Sequence, residues 1–231
     1  MTKTRPRAVV CVSGGMDSAV TAAIAARDHR VAFLHANYGQ RTEQKELQAF
    51  HALCDHYAAE ARLVVDFSST LRAIGGSSLT DPMLPVRLGE PEKGVVPSSY
   101  VPFRNAHLLA AATSWAETIE ARAIFVGAVW EDSSGYPDCQ PEFYRAFQEA
   151  IRLGTRPDTR IRIVHPVIGH TKADIVSDGQ RLAVPFEKTW SCYQAEDAAC
   201  GQCESCRLRL RGFREAGVTD PIPYRTGAVR N

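Results

Sequence analysis

Six consecutive residues, Ser13-Gly14-Gly15-Met16-Asp17-Ser18, have the composition of an anion cradle. Two adjacent glycines let the backbone take positive φ and approach a ligand closely. Amide N–H groups then converge on one concavity, and a helix that starts at the turn adds its positive end. The chemistry suited to such a loop is the grip of a pyrophosphate tail. Ser13 and Ser18 can add hydroxyl hydrogen bonds; Asp17 can cap the helix or help hold Mg²⁺ beside the phosphates. The loop has neither the G-x-x-x-x-G-K-[ST] pattern nor G-x-G-x-x-G.

A second constellation is Cys192-x7-Cys200-x2-Cys203-x2-Cys206. Four thiolates at tetrahedral geometry suit Zn²⁺, and a closed four-sulfur shell is structural because it leaves no position for substrate. An iron–sulfur cluster is the alternative, although no flanking pattern calls for electron transfer. The remaining cysteines, Cys11, Cys54 and Cys139, are scattered, and only Cys139 falls in a loop as a credible free thiol. Arg207, Arg209, Arg211 and Arg214 follow the cluster and read as a solvated helix face.

The elements that must position these groups alternate. Ala8–Val12 is a short, continuous apolar run, as in a strand buried on both faces. An Ala-rich helix runs to about Arg27, and Val31–Ala36 is a second strand. Leu47, Phe50, Leu53, Cys54 and Tyr57 recur at helical spacing. Strands over 61–65, 123–129 and 161–165, with helices near 105–120, 143–151 and 171–183, complete an α/β pattern with a parallel sheet. The expected fold is Rossmann-like, with helices on both faces and a small C-terminal metal-binding helical segment. Residues 1–188 read as the main domain and 189–231 as the cysteine segment. Residues 66–98, rich in Gly, Pro and Ser, read as a long loop that serves as a lid or site wall.

The chain has 231 residues and a net charge of +1, which gives no reason to propose nucleic acid as a partner. No apolar run is long enough to span a membrane, and no targeting signal is evident, so a cytoplasmic location is expected.

The S-G-G-x-D-S loop is similar to that of the ATP pyrophosphatase superfamily, whose PP-loop enzymes adenylate an oxygen and release pyrophosphate. SGGMDS, NYGQR, GGSSLTD, YVPFRN, SGYPDC, the HP-to-TKAD stretch, TWSCY and the C-x2-C-x2-C end together resemble the 7-cyano-7-deazaguanine synthase family over about residues 8–215. The resemblance implies ATP as co-substrate, Mg²⁺, structural zinc, and a 7-deazaguanine carboxylate converted with ammonia to a nitrile. A homodimer is compatible with it. Departures are Thr42, where relatives carry His, and Phe103, where they carry a small residue; both leave the acyl acceptor open. The alternatives are transfer of the activated acyl group to another amine, such as one on a protein, and a tRNA-modifying PP-loop enzyme. A nucleotide-binding module without turnover is the non-enzyme reading.

Roles follow residue by residue. Ser13, Gly14, Gly15, Met16, Asp17 and Ser18 cradle the phosphates, with Val12 and Ala19, Val20, Thr21 and Ala22 flanking the nucleotide site. Asp17, Ser18, Lys172 and Arg104 are expected at the reacting centre. Arg41, Arg104 and Lys172 are cations for carboxylate or phosphate. Asp138 or Glu131 can accept from a guanine-like N–H pair, Tyr38 or Tyr136 can stack on the base, and Gln40 and Asn105 supply amides.

Overall fold

The computed structural model describes residues 5–90, 92, 94–130 and 135–225. Five strands, β1 (Arg7–Cys11), β2 (Arg30–Asn37), β3 (Ala61–Asp66), β4 (Ala123–Val126) and β5 (Arg162–Val164), form one parallel sheet in the order β3-β2-β1-β4-β5. β1 is central, with Val9 opposite Ala32 on β2 and Ile124 on β4. Its alternate side chains feed two cores. Ala8 and Val10 pack with α1 (Met16–Asp28), α2 (Glu43–His56), α6 (Lys172–Arg181) and α7 (Glu204–Glu215). Val9 and Cys11 pack with α4 (Arg104–Thr118) and α5 (Pro141–Gly154) on the other face. Both faces are therefore covered, which is why β1 reads as a continuous apolar run. Each fully buried Leu or Phe in these layers contributes about 2 kcal/mol.

A third cluster joins Tyr38, Leu71, Leu79 and Val101 to Trp190 and the cysteines. It ties the 66–98 stretch to the C-terminal segment. Leu88 bridges to Cys203, the Gly89 N–H donates to the Gln202 carbonyl, and Glu90 pairs with Arg211. The stretch is not without regular structure: α3 (Ser68–Ile74) occupies its start. The loop-forming residues begin only at Gly75, and Leu71 turns fully into the core. β4 is shorter than the apolar run suggests, because its ladder partners end at Val126. Among the described residues no helix is long and apolar enough to cross a membrane.

Arg209 departs from the solvated-face expectation. It is 1% exposed, pairs with Asp220 at 2.7 Å, and donates to Thr189 Oγ1 and the Phe186 carbonyl. A buried guanidinium needs all of these acceptors to offset its desolvation.

Candidate active site

Strand order reverses between β1 and β4, and ligands of open α/β sheets bind beyond the carboxyl ends of the strands at such a point. A cavity of about 250 Å³ lies there. Val12, Ser13, Gly15, Met16, Asp17 and Ser18 line it from the β1–α1 turn, and Gly127 and Ala128 line it from the end of β4.

Gly14 alone takes positive φ in this turn, at +90°; a side chain there would meet the Glu46 carbonyl at 2.8 Å. The expectation of positive φ at both glycines fails at Gly15, which is extended (φ −80°, ψ 166°) and is the N-cap of α1. The first backbone bond back along α1 runs from the Ala19 N–H to the Gly15 carbonyl, so the preceding amides have no intrahelical acceptor. Ser18 Oγ donates to the Gly15 carbonyl at 2.9 Å, and Ser13 Oγ to Ser18 Oγ at 3.2 Å.

Asp17 does not cap the helix. Its Oδ2 accepts from Lys172 Nζ at 2.7 Å, and its buried Oδ1 has no protein partner. That orphaned oxygen at a phosphate-type turn is the donor a hard divalent cation takes, so the residues present fit Mg²⁺. Lys172 opens α6, whose capping box pairs Thr171 with Asp174 and fixes the helix start. Ala19, Val20, Thr21 and Ala22 are fully buried and none of the four lines the cavity, because they make up the second turn of α1, beyond the helix start that meets the cavity and enclosed on every side.

Gly127 is where β4 meets the start of α1. A Cβ there would lie 2.8 Å from the Ser18 nitrogen and 2.9 Å from the Asp17 carbonyl carbon. Gly127→Ala is expected to push the helix start outward, lowering stability by about 2 kcal/mol and raising the KM for ATP. Thermal unfolding and ATP titration check both; an unchanged KM contradicts this placement of the nucleotide.

Arg104 enters the cavity from α4, its guanidinium carbon 4.8 Å from the Tyr38 ring centroid and 5.8 Å from that of Tyr136. Burial opposes its charge, but the facing Tyr38 and Tyr136 and the Asp138 carboxylate outweigh burial and hold it protonated. Asn105 also lines the cavity, while Asp138 does not: its Oδ2 accepts the Asn105 N–H at 2.8 Å and so anchors the first turn of α4. Burial raises the Asp138 carboxyl. Gln40, 4% exposed, lies behind Tyr38 and accepts its N–H. Arg41 is spent elsewhere, donating to the carbonyls of Ser78, Asp81 and Leu84, so it straps the 66–98 stretch and is absent from the cavity wall. Glu131 lies outside the described residues.

Cys139 is a free thiol, as expected, but it is buried and ends a 3₁₀ turn (Pro137–Cys139) rather than standing in an open loop. It takes an N–H from Asn105, and burial pushes its thiol up to about 12; Cys11, also in the wall, is pushed up to about 12 by burial as well. Cys192, Cys200, Cys203 and Cys206 converge, with all four sulfurs within 4.8 Å of one another. Backbone N–H groups of Gln194 and Cys200 point at Cys192 Sγ, and those of Gln202 and Cys203 at Cys200 Sγ. Tetrahedral Zn–S bonds of about 2.3 Å require sulfurs about 3.8 Å apart, and Cys200 and Cys206 lie 3.9 Å apart. The set can hold a metal ion.

Residues 7–217 match the family described as "Queuosine biosynthesis protein QueC". The chain belongs to the QueC family. A 7-cyano-7-deazaguanine synthase of Chloroherpeton thalassium is 57% identical over 95% of this chain and 97% of that protein. One of Chlorobium chlorochromatii is 53% identical over 95% and 96%. Among solved structures, NMN synthetase from Francisella tularensis has a TM-score of 0.47 at 16% identity, covering 94% of this chain and 74% of that chain.

In this QueC-family chain the cavity wall also contains Glu46 and Tyr144, which the sequence did not single out, together with Trp190, Ser191 and Tyr193 of the TWSCY segment and Arg209, which was expected on a solvated face. Glu46 had a signal. It stands one helical turn before Phe50, a charge on the buried stripe of α2. Burial pushes its carboxyl up to about 7, against the downward pull of Thr42, Gln40 and Arg104. The folded state thus keeps a proton that the unfolded chain releases near 4.5. Protons bound in excess by the folded state make stability fall as pH rises from about 4.5 through about 7. Glu46→Gln cannot ionise, so its stability relative to the parent is expected to rise by about 2 kcal/mol between pH 5 and pH 8. Urea unfolding at both pH values checks this; an equal offset at both contradicts it.

Proposed function

We propose that this chain converts a 7-carboxy-7-deazaguanine, ATP and ammonia to 7-cyano-7-deazaguanine, releasing AMP and pyrophosphate at both activation steps. The observation that carries the reading is one cavity shared by an anion-ready β1–α1 turn, the Lys172–Asp17 pair and the stacked Arg104 guanidinium. The names of the relatives at 53–57% identity supply the substrate class.

A carboxylate oxygen is a poor leaving group, and its attack on the α-phosphorus of ATP turns it into part of one. Pyrophosphate departs from phosphorus as the new P–O bond forms. Ammonia then adds to the acyl carbon, a proton is lost from nitrogen, and AMP leaves with the original carboxylate oxygen. The amide oxygen attacks a second ATP in the same way. Loss of AMP and of both nitrogen protons leaves the nitrile.

The protein's contribution is positioning and charge compensation. The turn from Ser13 to Ser18 holds the phosphates through backbone N–H groups. Lys172 balances negative charge that gathers on the departing pyrophosphate, and its hydrogen bond orients Asp17. Mg²⁺ held by Asp17 supplies further neutralisation of phosphate charge when bound. Arg104 carries a fixed positive charge toward the carboxylate, and Tyr38 and Tyr136 give a flat heterocycle its stacking surface. Zinc on Cys192, Cys200, Cys203 and Cys206 is structural. The high thiol values at Cys11 and Cys139 argue against a sulfur-carrying reaction, which needs a thiolate.

Incubation with the carboxylated deazaguanine, ATP, Mg²⁺ and ¹⁵N-ammonium, followed by mass spectrometry, tests the reading. A ¹⁵N-nitrile is expected. An end product that stays at the amide, or a conjugate to another amine, overturns it.

A further inference from the structure

Of the two carboxylates that line the cavity, Asp17 has a cationic partner and Glu46 has none among the described residues. Asp17 is paired with Lys172, and Arg209 with Asp220. Among the described residues Glu46 makes no ion pair; its partners are neutral. Thr42 Oγ1 donates to its Oε1 at 2.9 Å and Gln40 Nε2 to its Oε2 at 3.1 Å. Both donors are themselves fixed. Gln40 accepts the Tyr38 N–H at 2.8 Å; Thr42 is 1% exposed, and its one hydroxyl proton is shared between Glu46 Oε1 and the Cys192 carbonyl at 3.1 Å, with Glu46 the nearer acceptor. The backbone of Glu46 is held against the β1–α1 turn, since nothing larger than glycine fits at Gly14 beside its carbonyl.

Each carboxylate oxygen has about two acceptor sites. One donor per oxygen locks the rotation of the group and leaves one acceptor site on each oxygen. The result is a planar acceptor fork of fixed orientation in a wall that also carries Tyr38, Tyr136, Tyr193 and Trp190. A fork among aromatic rings is complementary to a flat heterocycle with two adjacent N–H donors on one edge. We infer that Glu46 is the specificity-determining residue that reads the ring N–H and exocyclic amino group of the guanine-type edge of the substrate. This rests on the reading of the cavity as a deazaguanine site. Asp138, the other buried carboxylate nearby, has one oxygen committed to the α4 backbone and stands behind the wall.

The charged form of Glu46 is the one that accepts two hydrogen bonds, so affinity for the heterocycle rises with pH through about 7. The groups facing it that set this dependence are Arg104 on α4, Glu43 on α2 and Tyr38 after β2.

The test is a two-by-two cycle. Calorimetry measures binding of 7-carboxy-7-deazaguanine and of its analogue lacking the 2-amino group, to the parent protein and to Glu46→Gln. The parent is expected to lose roughly 100-fold on removal of the amino group, the scale of one hydrogen bond to a charged acceptor. Glu46→Gln is expected to bind the full substrate with a comparable loss and to discriminate the two ligands by less than about threefold. In turnover, the variant raises KM for the heterocycle while kcat and the KM for ATP stay within about threefold. Equal binding of the two ligands by the parent overturns the inference without any variant. So does a Glu46→Gln protein that keeps the parent's discrimination, or one that loses kcat with KM unchanged. Nitrile formation by the parent is scored separately: its absence defeats the underlying reading, and its presence beside additive cycle energies defeats only the role of Glu46.

Discussion

Lys172→Met is expected to lower kcat by about 10³-fold, with pyrophosphate release as the assay. Lys172 Nζ lies 2.7 Å from Asp17 Oδ2, and the lysine is 7% exposed. Two consequences add. The cavity loses a preorganised positive charge where the leaving pyrophosphate gathers negative charge. Asp17, with 28% of its side chain exposed, also loses its cation, and leaving a partly buried group without its partner costs about 1–3 kcal/mol. Asp17→Asn removes the opposite partner and is expected to impair turnover through the phosphate-side cation, with a marked dependence on Mg²⁺ concentration. The double variant Lys172→Met/Asp17→Asn should regain part of the stability but none of the rate. Wild-type pyrophosphate release by Lys172→Met would remove Lys172 from the reacting centre.

Cys203→Ser is expected to reduce bound zinc from about one ion per chain to near zero, and to lower Tm by about 10 °C or more. Cys203 is the N-cap of α7, and Cys206 lies within that helix. α7 packs on α6 where Gly212 lies against Lys172; a Cβ at Gly212 would stand 2.6 Å from the Lys172 Cβ. Loss of the metal therefore loosens the third cluster first and the Lys172 side of the cavity next. Turnover should fall by at least about 100-fold, the scale of a 2–3 kcal/mol loss of positioning. Strong chelation of the parent protein should reproduce the effect, with restoration by zinc. Elemental analysis that finds iron with a visible chromophore, or an apoprotein with unaltered Tm, contradicts a structural zinc.

The parts of this molecule that local chemistry dictates were legible in the residues. The run at Ala8–Val12 announces a strand covered on both sides, and alternation with amphipathic segments announces the parallel sheet. The Gly-containing turn after β1 and the spacing of Cys192, Cys200, Cys203 and Cys206 announce their sites, since each demands a short-range geometry. What stayed hidden depends on partners distant in the chain. Lys172 meets Asp17 across 155 positions, and Arg209 finds Asp220 only because the tail folds back. Arg41 looks like an anion-binding cation by type, yet three carbonyls of the 66–98 stretch claim it. Gly15 looks like a positive-φ residue by type, yet the N-cap of a helix needs extended backbone. Glu46 lies between these cases: its place on the apolar stripe of α2 was visible, but the donors that lock it were not.

The account turns on attack by substrate oxygen at the innermost phosphorus of ATP. Substrate carrying ¹⁸O in both carboxylate positions tests this directly when the nucleotide products are weighed by mass spectrometry. The account predicts two AMP per nitrile, each with one ¹⁸O, and unlabelled pyrophosphate. ADP as the nucleotide product, or AMP without label, would contradict it.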